Sequence, residues 1–376
     1  MTAAFDLTVE QLGDLLYGEP AFRARQVWQA LHGGRRPAAM TDLPLALRDR
    51  LETDLAPALT EVARTVADGG QTVKWLWELA DGARVETVLM HYRDRSTVCV
   101  SSQAGCAMGC QFCATGQAGF TRQLSVGEIV EQVVVARRAT AENAAAGNTA
   151  AGNTAAGNTA AGNDGKRRLS NVVFMGLGEP LANYDRVWGA LRRLHDDLGL
   201  SARHLTVSTV GIVPGIRRLA GEALPVNLAV SLHAANDALR DQLVPINRRY
   251  PLASIVTACE EYRAAKGRRL SFEWAVIDGV NDRGRDAREL AAIARGLAAH
   301  VNLIPLNPTE GYAIRGASAA RVAAFCEELR SLGVNATVRA NRGTDIDAAC
   351  GQLAARTPAP SPSAPVPVNP PAARRS

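Results

Sequence analysis

The sequence predicts an α/β protein: a partial (βα)6 TIM-like barrel, preceded by a small helical unit and a β-hairpin extension. Two observations carry that expectation. From about residue 96 to 340 the chain repeats a strand, a loop and a helix. Short apolar runs alternating with helical periodicity imply a parallel sheet. The length of 376 residues, with 47% apolar and 21% charged residues, is ample for such a core and one or two smaller units.

Taken in order, residues 1–70 form the helical unit. In "EPAFRARQVWQALH" (19–32), Phe22, Val27, Trp28 and Leu31 fall on one helical face. Residues 1–80 hold eight Lys/Arg against eleven Asp/Glu, so bulk charge does not mark this unit as a nucleic-acid binder. "QTVKWLWELADGARVETVLMHY" (71–92) reads as a hairpin within a 71–95 extension, turning at Asp81-Gly82 in a tight primed turn and carrying Glu86 on its second strand. The barrel, 96–355, takes its strands from 96–102, 170–176, 204–211, 226–233, 269–277 and 301–307; "NATVRA" (335–340) offers a seventh. Ser125 and Glu128 form a capping-box pair, followed by Val126, Ile129, Val130, Val133 and Val134 at helical spacing.

Two segments stand outside the fold. An insert at 144–165 contains four pentads, AAGNT three times and then AAGND, and is expected to be a mobile surface loop. Residues 357–376 hold seven of the 18 prolines and read as a disordered tail. The opening residues lack a basic, apolar leader and no stretch is apolar enough to span a bilayer, so a cytoplasmic protein is expected. The net charge of +5 permits a nucleic-acid partner without demanding one.

Seven cysteines, three of them crowded into "CAMGCQFC" (106–113), fit reduced thiols better than a disulfide framework. Cys106, Cys110 and Cys113 have the spacing C-x3-C-x2-C on the loop after the first barrel strand, where parallel barrels build their sites. An iron–sulfur cluster with one iron lacking a protein ligand fits that trio. Zinc stays open, with Cys99 or His91 as a fourth ligand. Cys259 and Cys326 lie in helical patterns and read as packing residues. Viewed singly, Cys99 and Cys350 read as buried small residues, Glu86 as a solvated strand residue and His233 as a structural histidine. The arginine pairs at 167–168, 192–193, 217–218, 248–249 and 268–269 are candidate phosphate contacts.

The cysteine motif, with Phe112 just before its last cysteine, resembles the radical S-adenosylmethionine superfamily. "CVSSQAGCAMGCQFCATGQAGFTRQL" (99–124), "VVFMGLGEPLANYD" (172–185), "STVGIVPGI" (208–216), "VSLHAAND" (230–237), "LIPLNP" (303–308) and "RGTDIDAACGQL" (342–353) resemble the dual-specificity adenine-C2 methyltransferases of 23S rRNA and tRNA. "FRARQVWQALH" (22–32) resembles that family's accessory, RNA-binding domain. The likeness covers about residues 5–355 apart from the insert.

The resemblance implies a barrel of the radical type and a 4Fe-4S cluster on Cys106, Cys110 and Cys113. It also implies S-adenosylmethionine used twice per turnover, at Gly178, Glu179, Ser208, Ser231, Leu232, His233 and Asn307. It implies that Cys350 carries a methyl group, that Cys99 resolves the RNA adduct by forming a disulfide, and that Glu86 accepts a proton. An electron donor such as flavodoxin or ferredoxin and a monomeric enzyme are expected. The sister activity at adenine carbon 8 and a non-catalytic, zinc-stabilised RNA-binding protein are the alternatives.

Overall fold

The computed structural model describes residues 2–151, 168–306 and 314–339. Asn307, Cys350, most of the pentad insert and the proline-rich tail lie outside the described residues.

Three helices, α1 (Val9–Leu15), α2 (Phe22–His32) and α3 (Leu45–Asp54), make the N-terminal unit, tied by a short parallel pair of β1 (Thr2–Ala3) with β2 (Leu55–Ala56). Thr8 and Gln11 close a capping box at the start of α1. Along α2, Val27 and Leu31 are buried as the periodicity predicts, but Phe22, in the first turn, is 61% exposed. Trp28 faces the barrel instead of the unit's own centre, and its indole N–H donates to Asp197 at 3.0 Å.

The extension has three strands, not two. β3 (Thr60–Ala67), β4 (Thr72–Glu78) and β5 (Arg84–His91) form an antiparallel meander. The first of these falls inside the span assigned above to the helical unit. Its polar, mostly exposed alternation gives little apolar signal to read. The turn between β4 and β5 also differs. Leu79 and Ala83 pair across a three-residue loop in which only Gly82 has positive φ (+81°), so a primed turn with two left-handed residues does not form.

β5 runs antiparallel to β6 (Ser96–Cys99), the first strand of the parallel set. A separate antiparallel pair follows, β7 (Gln103–Gly105) with β8 (Phe120–Gln123), and between them lies the short α4 (Ala114–Gln117). The parallel set continues through β9 (Leu169–Phe174), β10 (Leu205–Thr209), β11 (Asn227–Ser231), β12 (Leu270–Val276), β13 (His300–Pro305) and β14 (Ala336–Val338). The order β14-β13-β12-β11-β10-β9-β6-β5-β4-β3 makes one ten-stranded sheet. β14 and β6 do not pair, so the seven parallel strands remain an open, partial barrel.

Helices α5 (Val126–Ala151), α6 (Tyr184–Asp196), α7 (Val213–Gly221), α8 (Asp237–Leu243), α9 (Leu252–Lys266), α10 (Gly284–Gly296) and α11 (Ala319–Ser331) supply the crossovers. The Ser125–Glu128 cap opens α5 as expected, and Asp6 of the N-terminal unit adds to it by accepting from Gly127 N (2.7 Å) and Ser125 Oγ (2.8 Å). α5 continues to Ala151, so the first pentad is helical rather than loop; alanine is the strongest helix former.

Strand residues alternate. Val98, Val172, Phe174, Leu205, Val207, Leu228, Val230, Phe272, Trp274, Val301 and Leu303 are all buried in the main core. Their neighbours Asn171, Thr206, Ser208, Asn227, Ser231, Ser271, Glu273 and Asn302 face the other way, because successive strand side chains point to opposite faces. A parallel sheet covered by apolar layers on both sides reads as continuous apolar runs. Here the polar strand residues share one face with a small apolar cluster of Val88, Met90, Cys99 and Val173, and this concave face is where a site can form. Among the described residues no helix is long and apolar enough to cross a membrane.

Candidate active site

The cysteine loop hangs from a closed neck. β7 and β8 pair Gln103 with Gln123 and Ala104 with Arg122, and Cys106 N donates to Gly119 O at 2.7 Å. Gly105 makes this closure possible: it has φ +76°, and a Cβ there would stand 2.0 Å from Gly119 O. Beyond the neck, Cys110 is buried while Cys106 and Cys113 are half-buried. Cys110 packs with Ala234, Leu243, Val244 and Ile277, residues that follow the C-terminal ends of β11 and β12 or close α8. Phe112 meets the His233 ring edge-on at 4.4 Å.

The trio fits a metal group by donor chemistry, not by preformed coordination. Among the described residues no three His, Cys, Asp or Glu side chains are gathered closely enough to hold a metal as they stand. Burial pushes the Cys106 thiol up to about 11, opposed by a Met108 backbone hydrogen bond and reinforced by the charges of Cys113 and Glu179. Burial pushes Cys110 higher still, and Cys113, Cys106 and Glu179 add to the rise. Three thiolates here would repel one another, and a cationic metal centre among them removes that penalty. The proposed fourth zinc ligands do not share a side: Cys99 and His91 lie on opposite faces of the sheet, and His91 is engaged with Ser96 (2.8 Å) and Asn143 (3.3 Å). No disulfide joins any of the described cysteines. Cys259 and Cys326 are buried in the helical core, as expected.

Of the expected cofactor residues, the described ones, Gly178, Glu179, Ser208, Ser231, Leu232 and His233, lie at or just beyond the strand ends. Gly178 has φ +102°, and a Cβ there would meet Gln103 at 2.5 Å, so the glycine admits the cysteine-loop neck rather than simply opening space for a ligand. Glu179 is buried; its carboxylate accepts from Leu181 N (3.0 Å) and Val210 N (2.8 Å), while its own N–H donates to Gln103 (2.8 Å). Burial pushes this carboxyl up to about 7 against those hydrogen bonds. With a further hydrogen bond from the Thr209 side chain, it therefore ties the ends of β9 and β10 together. Ser208 Oγ donates to Phe174 O at 2.7 Å.

Ser231 ends β11 beside Glu273 of β12, and buried Leu232 donates to the Glu273 carbonyl. His233 has φ +59°, a left-handed conformation that a non-glycine residue holds only when its surroundings fix it. Asn281 donates to its carbonyl at 2.8 Å, and Ala275 N donates to Nδ1 at 3.0 Å. Burial, aided by the charge of Arg240, pulls the ring down to about 3. The imidazole is therefore neutral, with its proton on Nε2.

Glu86 and Cys99 lie farther along the same sheet, on its concave face. Val88 pairs with Cys99 across β5 and β6, and Lys74 pairs with Val88 across β4 and β5. Glu86 is not a solvated strand residue. It is 2% exposed and forms an ion pair with Lys74, itself 0% exposed, at 3.0 Å. Sequence reasoning passed over Lys74, although fixing the hairpin register would have placed it diagonally across from Glu86. It also passed over Arg240, a fully buried arginine behind the cofactor residues.

No family model matches the chain. Curated proteins do. The probable dual-specificity RNA methyltransferase RlmN of Frankia alni is 55% identical over 347 residues, 90% of this chain and 79% of that protein. Its counterpart in Roseiflexus sp. (strain RS-1) is 50% identical over 381 residues, 93% of this chain and 95% of that protein. The chain belongs to the dual-specificity RNA methyltransferase RlmN family. A crystal structure of a radical SAM methyltransferase from Sphaerobacter thermophilus agrees, with a TM-score of 0.83 at 47% identity, covering 94% of this chain and 99% of that one. Membership in the RlmN family and this structural likeness agree with the open parallel sheet.

Proposed function

We propose that the chain is a radical S-adenosylmethionine RNA methyltransferase acting on carbon 2 of an adenosine in 23S rRNA and in tRNA. Family membership carries this reading, and the convergence of the cysteine loop with Glu179, Ser231 and His233 at one sheet rim supports it. Carbon 2 of adenine is an electron-poor aromatic carbon with no electron pair to displace a methyl group, so the reaction calls for radical chemistry. A 4Fe-4S cluster on Cys106, Cys110 and Cys113, with S-adenosylmethionine bound, supplies the carbon radical by reductive cleavage.

The chain's own residues divide the remaining work. Gly178, Glu179, Ser208, Ser231, Leu232, His233 and Asn307 hold the cofactor, with neutral His233 offering an Nε2–H donor. Cys350 carries the methyl group that is transferred to the base. Glu86 would take the proton, and the iron–sulfur group the electron, that leave the modified carbon; the Cys99 sulfur would form a disulfide with Cys350 as the Cys350 sulfur–carbon bond breaks, and the released carbon would take up the thiol proton to become the methyl group. The target base must leave its stack to reach the concave face. The enzyme works as a cytoplasmic monomer with flavodoxin or ferredoxin as its reductant.

Anaerobic iron and sulfide analysis, followed by mass mapping of rRNA and tRNA from a deletion strain, tests this. About four irons per chain and loss of a 2-methyl mark are expected. A protein containing one zinc, or loss of an 8-methyl mark alone, refutes it.

A further inference from the structure

Arg240, on α8, is 0% exposed, and its guanidinium reaches three segments. Nε donates to Leu232 O (2.9 Å), Nη2 to Val210 O (2.6 Å) and Ser231 O (3.2 Å), and Nη1 to Asn247 Oδ1 (2.7 Å). Asn247 in turn donates to Asp237 (2.9 Å) and Asp241 (2.7 Å). Val210 follows β10, and its N–H is the group that Glu179 accepts. Ser231 and Leu232 lead directly into His233. One side chain thus fixes the carbonyls on both sides of the gap between β10 and β11. The helix that carries it also touches the cysteine loop, since Gln111 N donates to Leu243 O at 3.1 Å and Leu243 packs on Cys110.

We propose that Arg240 is a positioning residue for the S-adenosylmethionine site: it locks the ends of β10 and β11 into one ledge and sets that ledge against the cysteine loop. The inference rests on the cofactor reading above. Its chemistry suits the task. A guanidinium presents donors in a planar fork that can serve several carbonyls at once, which a lysine ammonium on a flexible stem cannot reproduce. Burial pulls it down to about 10, so it stays cationic at neutral pH. A fixed positive charge behind the loop also favours the more negative, reduced state of a metal centre held there.

The test uses the full chain, reconstituted anaerobically, as wild type, Arg240→Met, Arg240→Lys and Asn247→Ala. Folding is checked by circular dichroism and loading by iron content. Losing hydrogen bonds from a charged donor predicts that Arg240→Met weakens S-adenosylmethionine binding roughly ten- to hundredfold, with rRNA affinity unchanged. Arg240→Lys should recover part of that loss. The cluster's midpoint potential should become more negative in Arg240→Met but not in Arg240→Lys, a split that a purely structural role would not produce. Asn247→Ala, which removes one of the four hydrogen bonds that Arg240 donates, should lose about threefold in cofactor affinity. A folded, iron-loaded Arg240→Met that binds the cofactor within twofold of wild type overturns the proposal. So does wild-type affinity in Asn247→Ala should Arg240→Met fail to fold. Wild type without iron or without cofactor binding defeats the cofactor reading itself, and the inference with it.

Discussion

The two faces of the ten-stranded sheet are built on opposite principles from the same strands. Toward the helices, Val172, Phe174, Val207, Val230, Phe272, Trp274 and Leu303 fill one continuous apolar layer. Toward the concavity stand Glu86, Lys74, Cys99, Ser208, Ser231, Glu273 and Asn302; Lys74 pairs with Glu86, Asn302 donates to Glu273 and Ser208 donates to the Phe174 carbonyl. The first face provides burial energy. The second gives up that energy to hold charged and nucleophilic groups in fixed positions. A strand of this protein therefore carries stability and chemistry on alternate residues.

Substitutions on the two faces should separate those roles. The largest effect belongs to chemistry: Cys350→Ala should abolish RNA methylation while iron content and melting temperature hold, and Cys99→Ala should trap a covalent protein–RNA adduct visible as a gel shift. Methylation by Cys350→Ala protein would end the methyl-cysteine route. On the helix-facing side, Phe272→Ala should lower stability by about 3–5 kcal/mol in denaturant titration and leave the kcat of the protein that stays folded unchanged. Lys74→Met should do both kinds of damage. It removes the cationic partner of the buried Glu86 carboxylate, at about 3–4 kcal/mol, and it should slow turnover at saturating RNA. A full-rate Lys74→Met enzyme would show that the pair is only structural.

The smallest effect concerns the junction with the N-terminal unit. Glu131 of α5 is buried and accepts from Ala58 N at 2.8 Å; burial pushes it up to about 7. Its folded pKa exceeds the unfolded value of 4.5, so the folded state holds more protons between those values. The contribution of Glu131 to stability is then greatest below about pH 4.5 and falls as pH rises through 7, by at most about 3 kcal/mol. Glu131→Gln keeps an acceptor and should flatten that dependence in thermal melts from pH 5 to 8. An identical slope in both proteins would remove Glu131 as its source.

Much of this was legible in the sequence because alternation and helical periodicity are local. Six of the seven parallel strands, with 335–340 offered as the seventh, the helix after Ser125 and the turn region at Gly82 could be placed from spacing alone. β3 was missed because "TEVARTVA" is polar and mostly exposed, so it offers no buried pattern. β7 and β8 are too short and too polar to stand out, although the glycines at 105 and 119 flank them. The Lys74–Glu86 pair depends on register, and register depended on a turn of three residues rather than two. Arg240 gave no signal at all, since three of its four hydrogen bonds go to main-chain carbonyls that every residue possesses.

The neck beneath the thiol loop has one further consequence. Its ends are joined by β pairing and by the hydrogen bond from Cys106 to Gly119, not by anything the thiols bind. The entropy of closing residues 106–119 is therefore lost when the chain folds, and none of it would fall on the binding of a metal group by the thiols. Were a cluster held there, its loss to oxygen would be a local injury that leaves the neck closed.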